Sequence, residues 1–275
     1  MYLRSMTEKM LILDFGSQYT QLIARAVREA NVYCEIKPFN STIEFDNSLK
    51  GIILSGSPAS VNETDAPNVD IAAMLAKLPV LSICYGAQLS AKNFGGKVEK
   101  SNKREYGRAQ LRIQKEDIIF NGIANNSQVW MSHSDSITQL PSHFELLADT
   151  DSIPVAAFRK IKDNQNSLHG FQFHPEVYHS TQGKIFLQNF LTKICGCKQD
   201  WTPAHFITDT VQSLQKQIGQ RKVIMALSGG VDSAVVAAIA LFPHVADAAE
   251  EIVIPHAQVT RIRTAVEKRC RDLEF

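Results

Sequence analysis

At 275 residues, with 44% apolar and 21% charged side chains, the chain has ordinary globular composition and length for one large domain or two. Its 29 basic and 28 acidic residues leave a net charge of +1, which provides no global attraction to nucleic acid or a membrane surface. No apolar run approaches the roughly 18 residues of a membrane span, and the start M-Y-L-R-S-M-T-E-K lacks the apolar core of a secretion signal.

The five cysteines (Cys34, Cys84, Cys195, Cys197, Cys270) are odd in number and scattered, which points to a reducing compartment and a cytoplasmic setting. Cys195-Gly196-Cys197 has no second Cys/His pair at metal spacing, so no metal site is expected.

In chain order, residues 10–14 form a short apolar run ending in a D-F-G-S turn. Leu22, Ile23, Ala26, Val27 and Ala30 then recur at helical spacing. Residues 32–36 and 51–54 are further short strands, the second ending in S-G-S-P. A helical pattern covers residues 69–78. Residues 79–88, P-V-L-S-I-C-Y-G-A-Q, follow with an apolar strand that runs into Cys84 and then into a helix. Strands alternating with helices at this spacing predict an α/β fold with a mainly parallel sheet, whose active site lies outside the carboxyl ends of the strands.

After Gly95-Gly96 the pattern changes. Apolar segments at 109–113, 128–131, 144–148, 154–158 and 168–173 read as strands, some antiparallel, joined by polar turns such as D-N-Q-N at 163–166. A helix with Ile185, Phe186, Phe190, Leu191 and Ile194 on one side closes this region. Residues 196–202 read as a linker, followed by an amphipathic helix from Phe206 to Ile218, a strand at 222–227 and the turn S-G-G-V-D-S. Only 55 residues remain from Arg221 onward, too few for a complete nucleotide-binding domain.

Strand, sharp turn and helix with Cys84 at the bend is an elbow geometry, and a helix N-terminus there favours a thiolate. Alone, the decapeptide fits a buried core cysteine equally well. A nucleophile needs a base, and the base needs an orienting partner. G-F-Q-F-H-P-E at 170–176 reads as a strand with His174 and Glu176 on one face, which lets the carboxylate hold the imidazole; His133 is the main rival base.

Cys84 in I-C-Y-G-A-Q, F-H-P-E at 173–176 and S-G-S-P at 55–58 together resemble the class I glutamine amidotransferases. D-F-G-S-Q-Y at 14–19, W-M-S-H-S-D at 130–135 and S-G-G-V-D-S at 228–233 narrow the resemblance to the glutamine-hydrolysing GMP synthase family, over about residues 8–240. The resemblance implies a flavodoxin-like mixed open sheet flanked by helices, followed by an incomplete second α/β segment of the adenine nucleotide alpha-hydrolase type. The implied organisation is a tail at 1–7, the amidotransferase domain at 8–195, a linker and connecting helix at 196–220, and a truncated ATP pyrophosphatase segment at 221–275.

It implies further that Cys84 attacks L-glutamine, that His174 moves protons and that Glu176 orients it. Gly56, Ser57 and the Tyr85 N–H would form the oxyanion hole, while Gln88, Ser132, His133, Ser134 and Asp135 would bind glutamine, Asp135 through its α-ammonium. Ser228, Gly229, Gly230, Val231, Asp232 and Ser233 resemble a pyrophosphate-binding loop for ATP and lack the Gly-Lys ending of a Walker A loop. Glutamine hydrolysis would need no cofactor, whereas the synthetase half would use ATP and Mg2+ to turn XMP into GMP.

Three departures from the family pattern stand out. Ser82 occupies a position usually held by glycine, and an elbow crowds that position. Ser57 and Ser134 also replace common glycines. Beyond about Leu241 the chain stops following the family, whose longer members continue into the rest of the pyrophosphatase domain and a dimerisation domain. The chain alone is therefore expected not to make GMP. The alternatives are the glutaminase component of another synthetase, which S-G-G-V-D-S argues against, and a non-catalytic regulatory fragment.

Overall fold

The computed structural model describes residues 8–161 and 166–202, with the backbone alone at 102–105. The loop at 228–233, the helix expected over 206–218, the tail from 242 and residues 163–165 of the polar turn lie outside the described residues.

A nine-stranded sheet organises the described chain, in the order β2-β1-β3-β4-β9-β8-β7-β5-β6. Its first half is parallel: β1 (Lys9–Asp14), β2 (Tyr33–Pro38), β3 (Leu49–Leu54), β4 (Val80–Ile83) and β9 (Leu168–Phe171). β1, β4 and the end of β3 are nearly continuous apolar runs, as strands covered on both faces require, whereas the edge strand β2, Y-C-E-I-K-P, is only partly buried. Met10, Ile12, Ile53, Leu81 and Ile83 pack into one core layer with α1 (Thr20–Glu29) and α4 (Gly183–Asn189). Leu11, Leu13, Ile52, Leu54 and Val80 pack into the other with α2 (Ile71–Leu75) and α3 (Tyr85–Asn93).

The second half is antiparallel: β8 (Ala157–Lys160), β7 (Phe144–Asp149), β5 (Lys97–Ile113) and β6 (Ser127–Gln139). β5 and β6 extend well beyond the expected 109–113 and 128–131, because the ladder between them runs on through polar residues that carry no apolar signal. The strand expected at 168–173 stops at Phe171. After α4 the chain makes a wider turn, Phe190–Ile194, in which the Cys195 N–H reaches the Phe190 carbonyl at 2.9 Å.

The segment that follows lies back on this body. Cys197 is buried, the Lys198 N–H donates to Glu8 Oε2 at 2.9 Å, and the Trp201 N–H donates to the Asn31 carbonyl at 3.0 Å. Among the described residues no helix is long and apolar enough to cross a membrane, and the four described cysteines are unpaired.

Candidate active site

The elbow is built from β4, Cys84 and α3. Cys84 has φ 52° and ψ −105°, a conformation a non-glycine residue adopts only when its surroundings enforce it. Three contacts do so. The Cys84 N–H donates to the Phe171 carbonyl on β9 at 2.7 Å, the Gly86 N–H donates to the Ser55 carbonyl at 3.2 Å, and the Gln88 N–H closes the first helical turn onto the Cys84 carbonyl at 3.0 Å. Gly86 is required by close approach: a Cβ there would stand 2.8 Å from both Leu54 Cβ and the Leu54 carbonyl oxygen.

Ser82 fits without crowding. Its buried hydroxyl meets the Ser90 hydroxyl at 2.8 Å, and Ser90 in turn donates to the Gly86 carbonyl at 2.8 Å. The extra oxygen is thus absorbed into a strand-to-helix bridge inside the elbow.

His174 and Glu176 lie beyond the end of β9, in the turn over Pro175, and not on a strand as the alternation of Phe171 and Phe173 suggests. Proline has no N–H to continue a ladder and restricts the residue before it. The turn still brings the pair together: His174 Nδ1 lies 2.7 Å from Glu176 Oε1, both side chains being almost fully buried. The His174 N–H donates to the Trp130 carbonyl at 2.9 Å, while its own carbonyl accepts from Ser180 Oγ at 2.5 Å. Burial disfavours charge on the imidazole, but the Glu176 carboxylate and the Cys84 sulfur outweigh it, so His174 is held well above the ordinary histidine range. With Nδ1 committed to Glu176, Nε2 is the nitrogen left for the thiol.

Around this pair lies a cavity of about 350 Å3. Gly56, Ser57, Cys84, Tyr85, Gln88, Ser132, His133, Ser134, Asp135 and His174 all line it, so every candidate residue of this region except Glu176, which stands behind His174, reaches one space. A Cβ on Gly56 would lie 3.5 Å from His174 Cε1, which places the Gly56 loop beside the imidazole. Tyr85 is the first residue of α3, so its N–H has no intrahelical acceptor. Cys84 Sγ lies 3.8 Å from the Ser132 carbonyl oxygen.

Ser132, His133, Ser134 and Asp135 belong to β6; Ser132, His133 and Asp135 pair with Tyr106, Glu105 and Lys100 of β5, and Ser134 falls where the register shifts. Gln88 Nε2 donates to the Asp135 carbonyl at 2.7 Å, with Gln172 Oε1 at 3.4 Å behind it. His133 is buried, and neither ring nitrogen has a well-formed hydrogen bond among the described residues. Burial pushes it down to about 4, with the His174 charge acting in the same direction. A neutral histidine without a carboxylate partner is a poor rival to His174 as the base.

The structure adds wall residues that sequence reasoning assigned no role: Gly16, Ser17, Gln18 and Tyr19 after β1, and Tyr106 on β5. Asp14 Oδ1 shapes the first group by accepting from the Gly16 N–H at 2.9 Å and Thr20 Oγ1 at 2.7 Å. Tyr19 meets the His174 ring edge-on, with centroids 5.0 Å apart. D-F-G-S-Q-Y was the signal for this wall. Among the described residues no group of three or more His, Cys, Asp or Glu side chains is arranged to hold a metal ion.

Comparison with known proteins bears on the same residues. Residues 11–194 match the family described as Glutamine amidotransferase class-I, and residues 204–266 match the one described as NAD synthase. Over 235 residues the chain is 55% identical to a protein named GMP synthase [glutamine-hydrolyzing] from Cytophaga hutchinsonii, and 51% identical to one from Bacteroides thetaiotaomicron. Both alignments cover 85% of this chain and 46% of the relative, so the chain spans under half the length of these relatives.

Among solved structures, a Thermoplasma acidophilum protein assigned to GMP synthase superposes with a TM-score of 0.57 at 28% identity, covering 77% of this chain and 99% of that one. A glutamine amidotransferase from Thermotoga maritima superposes with a TM-score of 0.52 at 17% identity, covering 80% of this chain and 87% of that one. The second likeness carries the fold alone.

Proposed function

The chain belongs to the class I glutamine amidotransferase family, and on that footing we propose that it hydrolyses L-glutamine to glutamate and ammonia through Cys84, His174 and Glu176. The observation that carries this reading is His174, bonded to a buried carboxylate on one side and facing the Cys84 sulfur on the other, at the wall of a cavity of about 350 Å3.

The thiolate of Cys84 adds to the side-chain amide carbon of glutamine. The carbonyl electron pair moves onto oxygen, where the Tyr85 N–H and the backbone of Gly56 and Ser57 receive the negative charge. When the tetrahedral adduct collapses, the carbon–nitrogen bond breaks, and His174 supplies the proton with which the nitrogen leaves as ammonia. The product is a thioester on Cys84. His174, now neutral, takes a proton from water, whose oxygen adds to the thioester carbon; release of glutamate returns the thiolate and the imidazolium. Glu176 holds one tautomer throughout and stabilises the charged ring.

Gln88, Ser132, His133 and Ser134 shape the pocket for the amino-acid end of the substrate, and Asp135 receives its α-ammonium. No cofactor enters these steps.

The wider reading is that Ser228, Gly229, Gly230, Val231, Asp232 and Ser233 bind the phosphates of ATP with Mg2+, and that the ammonia serves amination of XMP to GMP. The match of residues 204–266 to the NAD synthase family and the names of the relatives support it. The cytoplasm is the proposed setting.

The test is ammonia release from glutamine by the purified chain and by Cys84→Ala. Equal rates sink the assignment. An increase on adding ATP-Mg2+ and XMP is expected if residues 203–275 bind them, and no response removes the wider reading.

A further inference from the structure

The loop after β3 does more than carry Gly56 and Ser57. It continues to Ser60, whose hydroxyl donates to Asp135 Oδ2 on β6, 75 residues later in sequence. That contact joins the loop beside the Cys84 elbow to the strand that carries the acid expected to bind substrate. Ser60 is not free to turn away. Its oxygen accepts from the Asn62 N–H at 3.1 Å, which aims the hydroxyl proton outward from the loop. A hydroxyl that accepts and donates at once is polarised by the first bond in the direction that strengthens the second.

Asn62 is itself pinned, its Nδ2 donating to the Val98 carbonyl at 2.9 Å, and Lys92 of α3 donates to the Val61 carbonyl and to Asn62 Oδ1 at 3.3 Å. The far side of the clasp is equally fixed, because the Asp135 carbonyl accepts from Gln88 Nε2 at 2.7 Å. Asp135 is only 7% exposed, lines the cavity, and has no other carboxylate partner among the described residues.

We infer that Ser60 is a positioning residue that fixes the Asp135 carboxylate for a primary ammonium, and so makes the site select amides that carry a free α-amino group. The inference rests on the proposed glutamine site. One carboxylate oxygen is held by Ser60 and the other is left to the cavity, so the group meets the substrate in a single orientation. Without the hydroxyl, the carboxylate keeps its charge but gains rotational freedom, and part of its grip on the ammonium is lost.

The experiment compares three thiol reagents on the whole chain: a chloroketone analogue of glutamine, its N-acetyl derivative, and iodoacetamide. Each is followed as the rate of Cys84 modification. Ser60→Ala is expected to slow the free-amine chloroketone about tenfold, the scale of one charge-assisted hydrogen bond, and to leave the other two reagents unchanged. Ser60→Thr should restore the rate.

A uniform slowing with all three reagents would mean a merely structural role, and no slowing with any would mean none; either overturns the inference. A wild-type chain that does not prefer the free-amine chloroketone to its N-acetyl derivative would overturn the glutamine site itself, and Ser60 with it.

Discussion

Two buried histidine–carboxylate pairs lie five residues apart in this chain, one on β9 and one just past its end. His174 Nδ1 meets Glu176 at 2.7 Å, and His169 Nε2 meets Asp117 at 3.2 Å. The third partner separates them. Among the described residues Glu176 meets only His174, whereas Asp117 also accepts from Arg159, which continues the row to Glu145 on β7 at 2.7 Å and on to Lys115. Behind His174 stand a thiol and a cavity; behind His169 stands a guanidinium. Burial alone would raise the Asp117 carboxyl, yet His169, the Ile119 N–H and Arg159 pull it down to about 2. The same chemical pair therefore acts as a structural brace at one end of the strand and as a candidate proton relay at the other. A His–carboxylate contact by itself identifies neither.

The comparison breaks most sharply through Cys84. Cys84→Ala should reduce glutamine-dependent ammonia release by at least about 10³-fold, the scale of losing a nucleophile, while the His169 row and the melting temperature stay nearly unaltered. Next come the two carboxylates. Glu176→Gln should lower kcat by about 10²-fold in steady-state assays. Asp117→Asn should leave kcat within about twofold and cost about 2–3 kcal/mol in urea unfolding, the value of bonds to a charged group. Equal kinetic effects from both variants would erase the distinction.

Stability against pH should show the two pairs on opposite limbs. Asp117 is depressed in the folded state, from 3.8 to about 2, so its contribution of about 2 kcal/mol is present above pH 4 and lost as pH falls towards 2. His174 is raised, so its contribution is full below its ordinary value of 6.5 and lost as pH climbs through the raised one. Asp117→Asn should flatten the acid limb of a melting-temperature profile, and Glu176→Gln the alkaline limb. The smallest effect belongs to Tyr106, which is 63% exposed at the cavity wall. Tyr106→Ala should raise KM about threefold with kcat unchanged, the loss of part of one aromatic contact.

Much of this arrangement is legible in the sequence. The parallel strands announce themselves as apolar runs, and the bend at Cys84 follows from a strand ending at a residue with Gly86 two positions on. The sequence pairs His174 with Glu176 through strand alternation, whereas a turn over Pro175 is what joins them. The β5–β6 ladder is hidden because residues 97–108, K-V-E-K-S-N-K-R-E-Y-G-R, show no periodicity of two, although the backbone pairs with β6 at 97–100 and again from 105. Ser60 is invisible for a related reason, since its partner lies 75 residues away and local pattern carries no record of such a contact. The Ser82–Ser90 bridge likewise needs the helix folded onto the strand before either hydroxyl has a use.

The chain contains two tryptophans. Trp130 stacks on His179 with centroids 4.4 Å apart, and its carbonyl accepts from the His174 N–H at 2.9 Å. Trp201 packs near Tyr33, with centroids 6.4 Å apart, where the described domain ends. The molecule thus carries its own pair of optical probes. Indole emission responds to its immediate surroundings, so the Trp130 signal should change when the turn holding His174 and Glu176 shifts. A Trp201→Phe variant would isolate that signal and let occupancy of the cavity be followed without any added label.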